Sequence, residues 1–279
     1  MKSLTKVELD IFRYLVDKEM TVTQLSGKLN KPISWISNVL NNLKEKDFLN
    51  DERIGYRKIW RANDKKFVQS FRKLIREEKM MNLDVLLTNS KLKILPLLVE
   101  PGYTVNEIME RTSISMTVLY EYLRLWKGSG IVHKKNNKYI INPKQKYLAE
   151  FLIEYQKHIN YQFLNERCPE GIILWQWRDE FLFSTENPID NDIYCKAAYS
   201  RLDELGYPLE HQNEYYMFTP VRHDISDEEA IIQSIMIDEN NPRIREIIKD
   251  SLKLGNINKE LINKYREKYF TWGILGEIH

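Results

Sequence analysis

Small polar side chains recur at helical spacing between residues 34 and 42, and they are the groups best suited to recognition chemistry. Apolar residues take the intervening positions and predict the buried stripe of one helix. The outward set is Ser34, Trp35, Ser37, Asn38, Asn41 and Asn42. Asparagine carries a donor and an acceptor side by side and can pair with the edge of an adenine. This spacing therefore predicts a surface that reads hydrogen-bonding groups.

Basic side chains surround this polar set in the sequence. The candidates for phosphate contact are Lys28, Lys31, Lys44, Arg53, Arg57, Lys58 and Arg61, and Tyr56 adds a hydroxyl group. A lysine or arginine that neutralises a phosphate releases counterions, which makes binding salt-dependent. We expect contact with double-stranded DNA, although the same residues also fit an uncommitted polar surface with solvated charges.

The densest cluster of titratable groups lies much later in the chain. Its members are His223, Asp224, Asp227, Glu228 and Glu229, with His211 upstream. The cluster admits metal or acid/base chemistry. However, "SDEE" at residues 226–229 also has the form of a capping box, in which a serine caps a helix and a glutamate three residues later reaches back. We favour the capping interpretation. Because the chain has no P-loop, GxGxxG or GxSxG motif, we expect no catalytic residue, no metal and no cofactor.

Composition indicates a folded chain of 279 residues, 43% hydrophobic and 29% charged, which is long enough for two or three small domains. Cys168 and Cys195 lack the spacing of a zinc or redox site, and we interpret both as reduced and structural. The apolar runs are shorter than the roughly 20 residues that cross a bilayer, and the N-terminus has no apolar signal core. We expect a cytoplasmic protein with no membrane partner.

Charge is distributed unevenly along the chain. Residues 1–79 carry 18 basic and 11 acidic side chains, and residues 80–158 carry 11 and 7. Residues 159–279 carry 13 and 22, so a net charge of −9 follows segments of +7 and +4. The basic front is the part expected to meet a polyanion.

An internal repeat supplies the elements that would position the polar set. Leu4 to Asn50 aligns without a gap with Leu87 to His133, over 47 positions of which ten are identical. The apolar positions correspond, for example Leu40 with Leu123. Both copies are therefore expected to bury the same faces.

Each copy has the pattern of three helices followed by a β-hairpin. In the first copy the apolar stripes are Val7, Ile11, Tyr14, Leu15, then Val22, Leu25, Leu29, then Ile33, Ile36, Leu40, Leu43. Pro32 in the turn "LNKP" separates the second helix from the third, since proline lacks an amide hydrogen. Ile54, Tyr56, Lys58 and Trp60 alternate around Gly55 and predict a strand or hairpin. In the second copy the hairpin is "IVHKKNNKYIIN".

These segments resemble a known regulator fold. "TQLSGKLNKPISWISNVLNNLKEKDFL" is similar to the helix-turn-helix of the prokaryotic multiple-antibiotic-resistance and arsenic-resistance regulators, and the second copy resembles it through "SISMTVLYEYL" and "GIV". The resemblance implies tandem winged helices in which the third helix of each enters the major groove. It covers about 130 of the 279 residues. Lys31 and Asp47 depart from the usual pattern, which has isoleucine and glycine at those positions.

The second copy is predicted to be the poorer DNA reader. Its outward positions hold Met116, Thr117, Tyr120, Glu121, Arg124 and Lys127. The carboxylate would point at phosphates, while Lys134, Lys135 and Lys138 could hold the backbone from the hairpin. Tyr120 and Tyr122 also fit packing against protein, so this copy is expected to support, dimerise or contact the DNA backbone.

Two amphipathic helices are predicted outside the repeats. The first runs from about Lys65 to Met81, and the second begins at Pro143, since proline is often found at a first helical position. In the regulators that the chain resembles, such helices commonly build a twofold interface, which implies a homodimer on a pseudo-palindromic site. The alternative is that each helix packs against its own domain.

The last third is predicted to be a small α+β domain. Strands are expected at "GIILWQW", "EFLFST" and "EYYMFTP", and helices at residues 191–205, Asp227 to Asp238, Pro242 to Leu254 and Lys259 to Phe270. Its aromatic residues Trp175, Trp177, Tyr194, Tyr199, Tyr215 and Tyr216 fit core packing better than a ligand pocket. The order of winged helix and α+β domain loosely resembles the antitoxins of abortive-infection type IV systems.

The expected fold class is mainly α with small β wings. The expected domains are a winged helix over 1–64, a connecting helix over 65–82, a second winged helix over 83–142, a connecting or dimerisation helix over 143–167 and an acidic α+β domain over 168–279. We expect a non-enzymatic transcriptional regulator that binds double-stranded DNA as a homodimer. Its last domain would sense a small-molecule effector, oligomerise or bind a protein partner. The alternatives are a protein-interaction module built from paired winged helices, and an enzyme within the last 110 residues.

Overall fold

The computed structural model of the protein describes residues 4–207, 209–221, 223–253, 258–272 and 274–275, with the backbone alone at 248, 250–253, 271–272 and 274–275. About 52% of the chain is helical and 17% lies in strands of small sheets, so the fold is mixed α and β. The chain divides into two compact units, Met1–Gln156 and Lys157–His279. The division falls within a helix, upstream of the predicted boundary at residue 168.

The first repeat contains three helices and a small sheet. Its elements are α1 (Lys6–Leu15), β1 (Met20–Thr21), α2 (Val22–Leu29), α3 (Ile33–Glu45), β2 (Leu49–Ile54) and β3 (Arg57–Ala62). The three predicted helices and the predicted hairpin are confirmed. The sheet order is β1-β3-β2, and both pairings are antiparallel.

The second repeat and its flanking helices complete the first unit. The elements are α4 (Lys66–Glu77), α5 (Leu83–Leu87), α6 (Lys91–Ile94), a 3₁₀ helix (Leu95–Leu98), α7 (Val105–Thr112), α8 (Met116–Gly128), β4 (Val132–Lys135), β5 (Lys138–Ile141) and α9 (Lys146–Asn165). Two predicted bounds are wrong. Helix α4 ends at Glu77 rather than near Met81. Pro143 lies before α9 rather than inside it, because the side chain of Asn142 accepts a hydrogen bond from the Lys144 amide and closes a turn there.

The two repeats coincide element by element in their second and third helices. Both ends of α7 and of α8 lie 83 positions after the ends of α2 and α3. Helices α2 and α7 begin with the same capping box, at Thr21 and Thr104, and end with a left-handed residue, Asn30 or Ser113. The first helix is reproduced only as the short α6 and the 3₁₀ helix, because Pro96 lacks an amide hydrogen and cannot continue an α-helix.

Aromatic rings join the connecting helices to the first repeat in one core. The stacked rings of Phe71 and Phe151 lie 4.6 Å apart, and Phe12 stacks on Phe71 at 5.1 Å. Phe48 packs edge-on against Phe67 at 5.1 Å, and Tyr155 is almost fully buried beside it. Most apolar residues of α4, and most of those of α9 up to Tyr155, are therefore buried within the first unit. This is the second of the two interpretations given for these helices.

The second unit is a five-stranded antiparallel sheet with helices. After the last turns of α9 come β6 (Ile172–Trp177), β7 (Glu180–Thr185), β8 (Cys195–Lys196), α10 (Ala198–Glu204), β9 (Glu214–Phe218), α11 (Asp227–Ile237), α12 (Pro242–Lys253), α13 (Lys259–Arg266), a π-helical segment (Glu267–Trp272) and β10 (Ile274–Leu275). The sheet order is β10-β6-β7-β9-β8. The three predicted strands are confirmed. Of the six aromatic residues predicted to pack in the core, Trp175 and the four tyrosines are buried, and Trp177 is half-buried.

The helix predicted over residues 191–205 is wrong in its first half. Cys195 pairs with Met217 in the sheet, and the helix begins only at Ala198. Ala198 has a φ of 44°, and its amide donates to Gln233 Oε1 at 2.9 Å. A contact with a helix 35 residues later therefore fixes this start. Leu254, the predicted end of the helix that begins at Pro242, lies outside the described residues.

Candidate nucleic-acid interface

The orientation of α3 is set by its buried stripe and by the turn before it. Ile36, Leu40 and Leu43 are fully buried. At the turn, Ser26 Oγ donates to the Lys31 carbonyl at 2.6 Å, and the Lys31 amide donates to the Ser26 carbonyl at 3.2 Å. These hydrogen bonds keep Lys31 in the turn, although Lys31 stands where the usual helix-turn-helix pattern has isoleucine. The opposite side of α3 is left to face outward.

The structure places none of the predicted contact residues in the core. Exposed are Lys28, Lys31, Ser34, Trp35, Asn38, Asn41, Asn42, Lys44, Arg53, Tyr56 and Arg57, while Ser37, Lys58 and Arg61 are half-buried. We use the name α3 surface for Ser34, Trp35, Ser37, Asn38, Asn41 and Asn42, which share one side of that helix. The remaining predicted residues lie at the end of α2, in the turn before α3, on the last turn of α3 and on the β2–β3 hairpin.

Three of the predicted cations have acidic partners within the first unit. Lys44 and Lys58 both pair with Asp51, Lys58 at 3.2 Å. The hydrogen bond from Lys44 lowers the pKa of Asp51, burial opposes that effect, and Lys58 adds to the lowering. Arg61 lies 3.9 Å from Glu19 and from Glu52. These cations are therefore partly neutralised before any ligand arrives.

Four other cations have no carboxylate partner among the residues that the structure describes. Lys28 and Lys31 lie over the rings of Tyr14 and Trp35, each 5.9 Å from the centroid. Arg53 and Arg57 project from the hairpin, where Arg57 pairs across the strands with Ile54. Their charge remains available to an anionic partner.

The hairpin tip is built to be open. Gly55 has a φ of +61°, and a Cβ atom there would meet nothing within 4 Å. Tyr56, the next residue, is fully exposed. A phenol ring and two guanidinium groups are thus held at the end of a two-stranded ribbon, where they can contact a polymer's backbone.

Several apolar side chains are exposed where the sequence pattern predicted burial. Ile33 is 54% and Ile54 is 57% exposed, and Tyr14 is also exposed. Ile33 is the first residue of α3, ahead of the buried stripe, and Ile54 is the last residue of β2. Periodicity alone could not separate these end positions from the core. They lie on the elements of the α3 surface and the hairpin, where they can contact sugars, thymine methyl groups or protein.

The matching helix of the second repeat presents a different face. Met116, Tyr120 and Leu125 of α8 are 49%, 48% and 41% exposed. Tyr122 is instead held within the unit, since its hydroxyl lies 3.0 Å from Ser90 Oγ. The second copy therefore lacks the asparagine-rich surface of the first.

In the titratable cluster of the second unit, Glu229 belongs to a hydrogen-bonded network rather than to a complete capping box. Ser226 caps α11 by accepting from the Glu229 amide at 3.3 Å. The Glu229 carboxylate is fully buried and turns inward, where it accepts from Lys268 Nζ at 3.0 Å and Tyr269 Oη at 2.6 Å. His223 Nε2 lies 3.3 Å from the same carboxylate. The capping interpretation is thus wrong for the glutamate side chain.

Charge neutralisation explains how Glu229 stays ionised there. Burial alone would raise its pKa, but His223, Lys268 and Tyr269 outweigh burial and lower the pKa to about 2. The hydrogen bond to Glu229 raises the pKa of His223, against a smaller effect of burial. Lys268 also pairs with the buried Glu180 at 3.0 Å. The partners that sequence reasoning missed, Lys268 and Tyr269, lie about 40 positions away and carry no local signal.

His211 belongs to a separate site. Its Nε2 lies 2.7 Å from Asp203 Oδ2, and its Nδ1 lies 2.7 Å from the Asn213 carbonyl oxygen. His211 and His223 thus take different carboxylates. Within the described ranges, no group of three or more His, Cys, Asp or Glu side chains is arranged to hold a metal ion.

Neither a protein-family model nor a curated protein matches the chain. In the described part of the chain, every helix is too short or too polar to span a membrane.

Proposed function

We propose that the protein is a DNA-binding transcriptional regulator whose first repeat is a winged helix and whose α3 surface lies in the major groove. The observation that carries the proposal is the α3 surface itself. Its hydrogen-bonding side chains, apart from the half-buried Ser37, are exposed on a helix whose opposite side carries the fully buried Ile36, Leu40 and Leu43. A helix presented in this way can enter the major groove, where asparagine pairs with adenine edges.

Charge and the hairpin support the same function. Lys28, Lys31, Arg53 and Arg57 lie before and after α3 in the chain and have no carboxylate partner among the described residues. In a winged helix the hairpin reaches the flanking backbone or minor groove, where Arg53, Tyr56 and Arg57 would contact phosphates. The acidic second unit is proposed to sense an effector or bind a partner protein.

Electrophoretic mobility shift of genomic fragments, including the protein's own promoter, tests the proposal. We expect retardation at low salt. Replacing Asn38 or Arg57 by alanine should weaken binding by about 1–3 kcal/mol for each good contact. Arg243→Ala is the matched control, since it removes an exposed arginine from the second unit. No retardation of any fragment at low salt would refute the proposal.

A protein-interaction module is the second candidate, and the exposed apolar residues favour it. Ile33, Ile54, Trp35 and Tyr56 accompany the polar set on the elements that would contact DNA. Two of the four, Trp35 and Tyr56, are aromatic, and aromatic residues are enriched at protein interfaces. Co-purification separates the two functions. A scaffold keeps its partner after Asn38→Ala and Arg57→Ala, and loses it after Trp35→Ala and Tyr56→Ala, without any DNA being bound.

A further inference from the structure

The exposed face of α8 differs in chemistry from that of α3, although the two helices occupy the same place in the repeat. Met116, Tyr120 and Leu125 are each more than two-fifths exposed. The first copy has Ser37 and Asn42 at the last two of these positions. Large apolar side chains on an exposed helix face indicate a surface that another molecule covers.

A line of four residues runs between these apolar side chains, and we name it the α8 seam. Its members are Thr117, Glu121, Arg124 and Gly128, all of them exposed. Their spacing of four, three and four residues places them along one side of a helix. Neither Glu121 nor Arg124 has an ion-pair partner among the described residues, although Glu121 attracts the more distant Lys91.

Gly128 ends the seam and has no structural explanation within its own chain. It is the last residue of α8, and a Cβ atom there would meet nothing within 4 Å. Glycine is unfavourable in a helix, so alanine or a larger residue would suit the isolated chain better. A glycine in open space is useful where the backbone of another molecule comes close.

The seam is complementary to itself. When two α8 helices run antiparallel about a twofold axis, residues equally distant from the axis on opposite sides face each other. An axis midway between Tyr122 and Leu123 places Glu121 opposite Arg124 of a second copy. The same axis places Thr117 opposite Gly128 of that copy. One symmetry operation therefore pairs both opposite charges and brings a small residue to the point of close approach.

We propose that the α8 seam and its apolar flanks form a twofold interface between two copies of this chain. Each interface contains the Glu121–Arg124 pair twice, with Met116, Tyr120 and Leu125 buried at its sides. The inference concerns self-association and holds whether or not α3 binds DNA. If it does, the interface joins two reading surfaces for two half-sites.

Sedimentation equilibrium of the full-length chain without DNA tests the interface. We expect a monomer–dimer equilibrium for the wild type. Glu121→Arg or Arg124→Glu alone places like charges together twice, and should raise the dimer dissociation constant at least about tenfold. The double variant Glu121→Arg/Arg124→Glu restores both pairs with exchanged signs and should recover most of the loss.

Two further variants separate the interface from folding and from DNA binding. Gly128→Leu should keep or raise the unfolding temperature, because space is open around Gly128 in the single chain, yet it should weaken dimerisation. Asn38→Arg changes the position of α3 that is equivalent to Glu121, and it should leave the dimer dissociation constant unchanged. A monomer at every attainable concentration, or a dimer that neither charge reversal weakens, would overturn the proposal. A monomer that loses DNA affinity on Arg124→Glu would also overturn it, in favour of a nucleic-acid contact.

Discussion

At the residue scale, the buried Glu229 is expected to stabilise the second unit. Replacing Glu229 by glutamine keeps the size of the side chain but removes the charge that His223 and Lys268 surround. Breaking a buried ion pair typically costs about 3–5 kcal/mol, and we expect the lower end because Glu180 still pairs with Lys268. Chemical denaturation of the full chain measures this loss.

The matched control for Glu229→Gln is Glu246→Gln. Glu246 pairs with Arg243 at 3.0 Å, but both side chains are more than half exposed. An exposed pair contributes at most about 1 kcal/mol, so the control should be nearly neutral. Equal effects of the two substitutions would contradict the structural role of the network.

The same network predicts a pH dependence of stability. Because the fold raises the pKa of His223, its contribution is fully present below the unfolded pKa of about 6.5 and disappears as pH rises through the folded pKa. Hydrogen exchange of the α11 amides should therefore accelerate, beyond the intrinsic increase, as the pH rises above about 6.5. His223→Gln retains a hydrogen-bond donor without titrating. This variant should abolish the additional acceleration of hydrogen exchange. If the additional acceleration is unchanged, His223 is not its source.

At the element scale, the repeat explains why Asp47 can stand after α3 at a position where glycine is usual. Asp47 follows α3 with a φ of 61°, and its equivalent after α8 is Gly130 with a φ of +69°. The left-handed conformation favours glycine, so Asp47 departs from the usual pattern while preserving the same geometry. Its carboxylate is 2.9 Å from Lys65, an ion pair that glycine could not make.

Substitution of the two glycines near the end of α8 checks this conformational argument. Gly130→Ala should destabilise the chain by about 1–2 kcal/mol, because alanine resists a positive φ. Gly128→Ala, two residues earlier, should be neutral or stabilising by up to about 1 kcal/mol. Thermal unfolding of both variants, at a concentration where any dimer is dissociated, measures the two changes in stability. Loss of stability on Gly128→Ala alone would contradict the assigned backbone.

The connecting helices form a core that a double-mutant cycle can test. Phe71→Ala and Phe151→Ala should each cost about 3–5 kcal/mol, because both rings are fully buried. The double variant should cost less than the two effects added, since the rings stack on each other. Phe270→Ala is the control, because Phe270 is 52% exposed. Full additivity would contradict direct contact.

Local pattern predicted those elements whose stability comes from their own apolar stripe and caps. Helices α1, α2 and α3 follow the spacing of residues such as Leu25 and Leu40, and the turn at Pro32 was visible in the sequence. Features fixed by distant contacts were not predictable. Strand β8 depends on pairing with β9, and the start of α10 depends on Gln233.

The candidate site was predictable to the same extent. The spacing of α3 predicts which side chains face outward. It could not show that Asp51 neutralises Lys44 and Lys58 while Arg53 and Arg57 lack such a partner, because this depends on strand register. The inward turn of Glu229 likewise depends on residues about 40 positions later.

At the scale of the whole molecule, the proposed function makes binding strongly dependent on salt. Four cations without described carboxylate partners, Lys28, Lys31, Arg53 and Arg57, would release about 0.9 counterion for each phosphate contacted. A plot of log affinity against log salt should have a slope near −3.6 if all four contact DNA. Arg57→Ala should make the slope shallower by about 1, whereas Arg243→Ala should not change it. A slope near zero would exclude a phosphate-based interface.

Site-specific photo-crosslinking tests the central claim most directly, because it locates DNA on the protein surface. A photoreactive amino acid at Asn41 of the α3 surface should form a covalent adduct with a bound duplex at low salt. The same group at Arg243 of the second unit should not. Adducts at Arg243 without any at Asn41, or no adduct at either position, would contradict the assignment of the α3 surface to DNA.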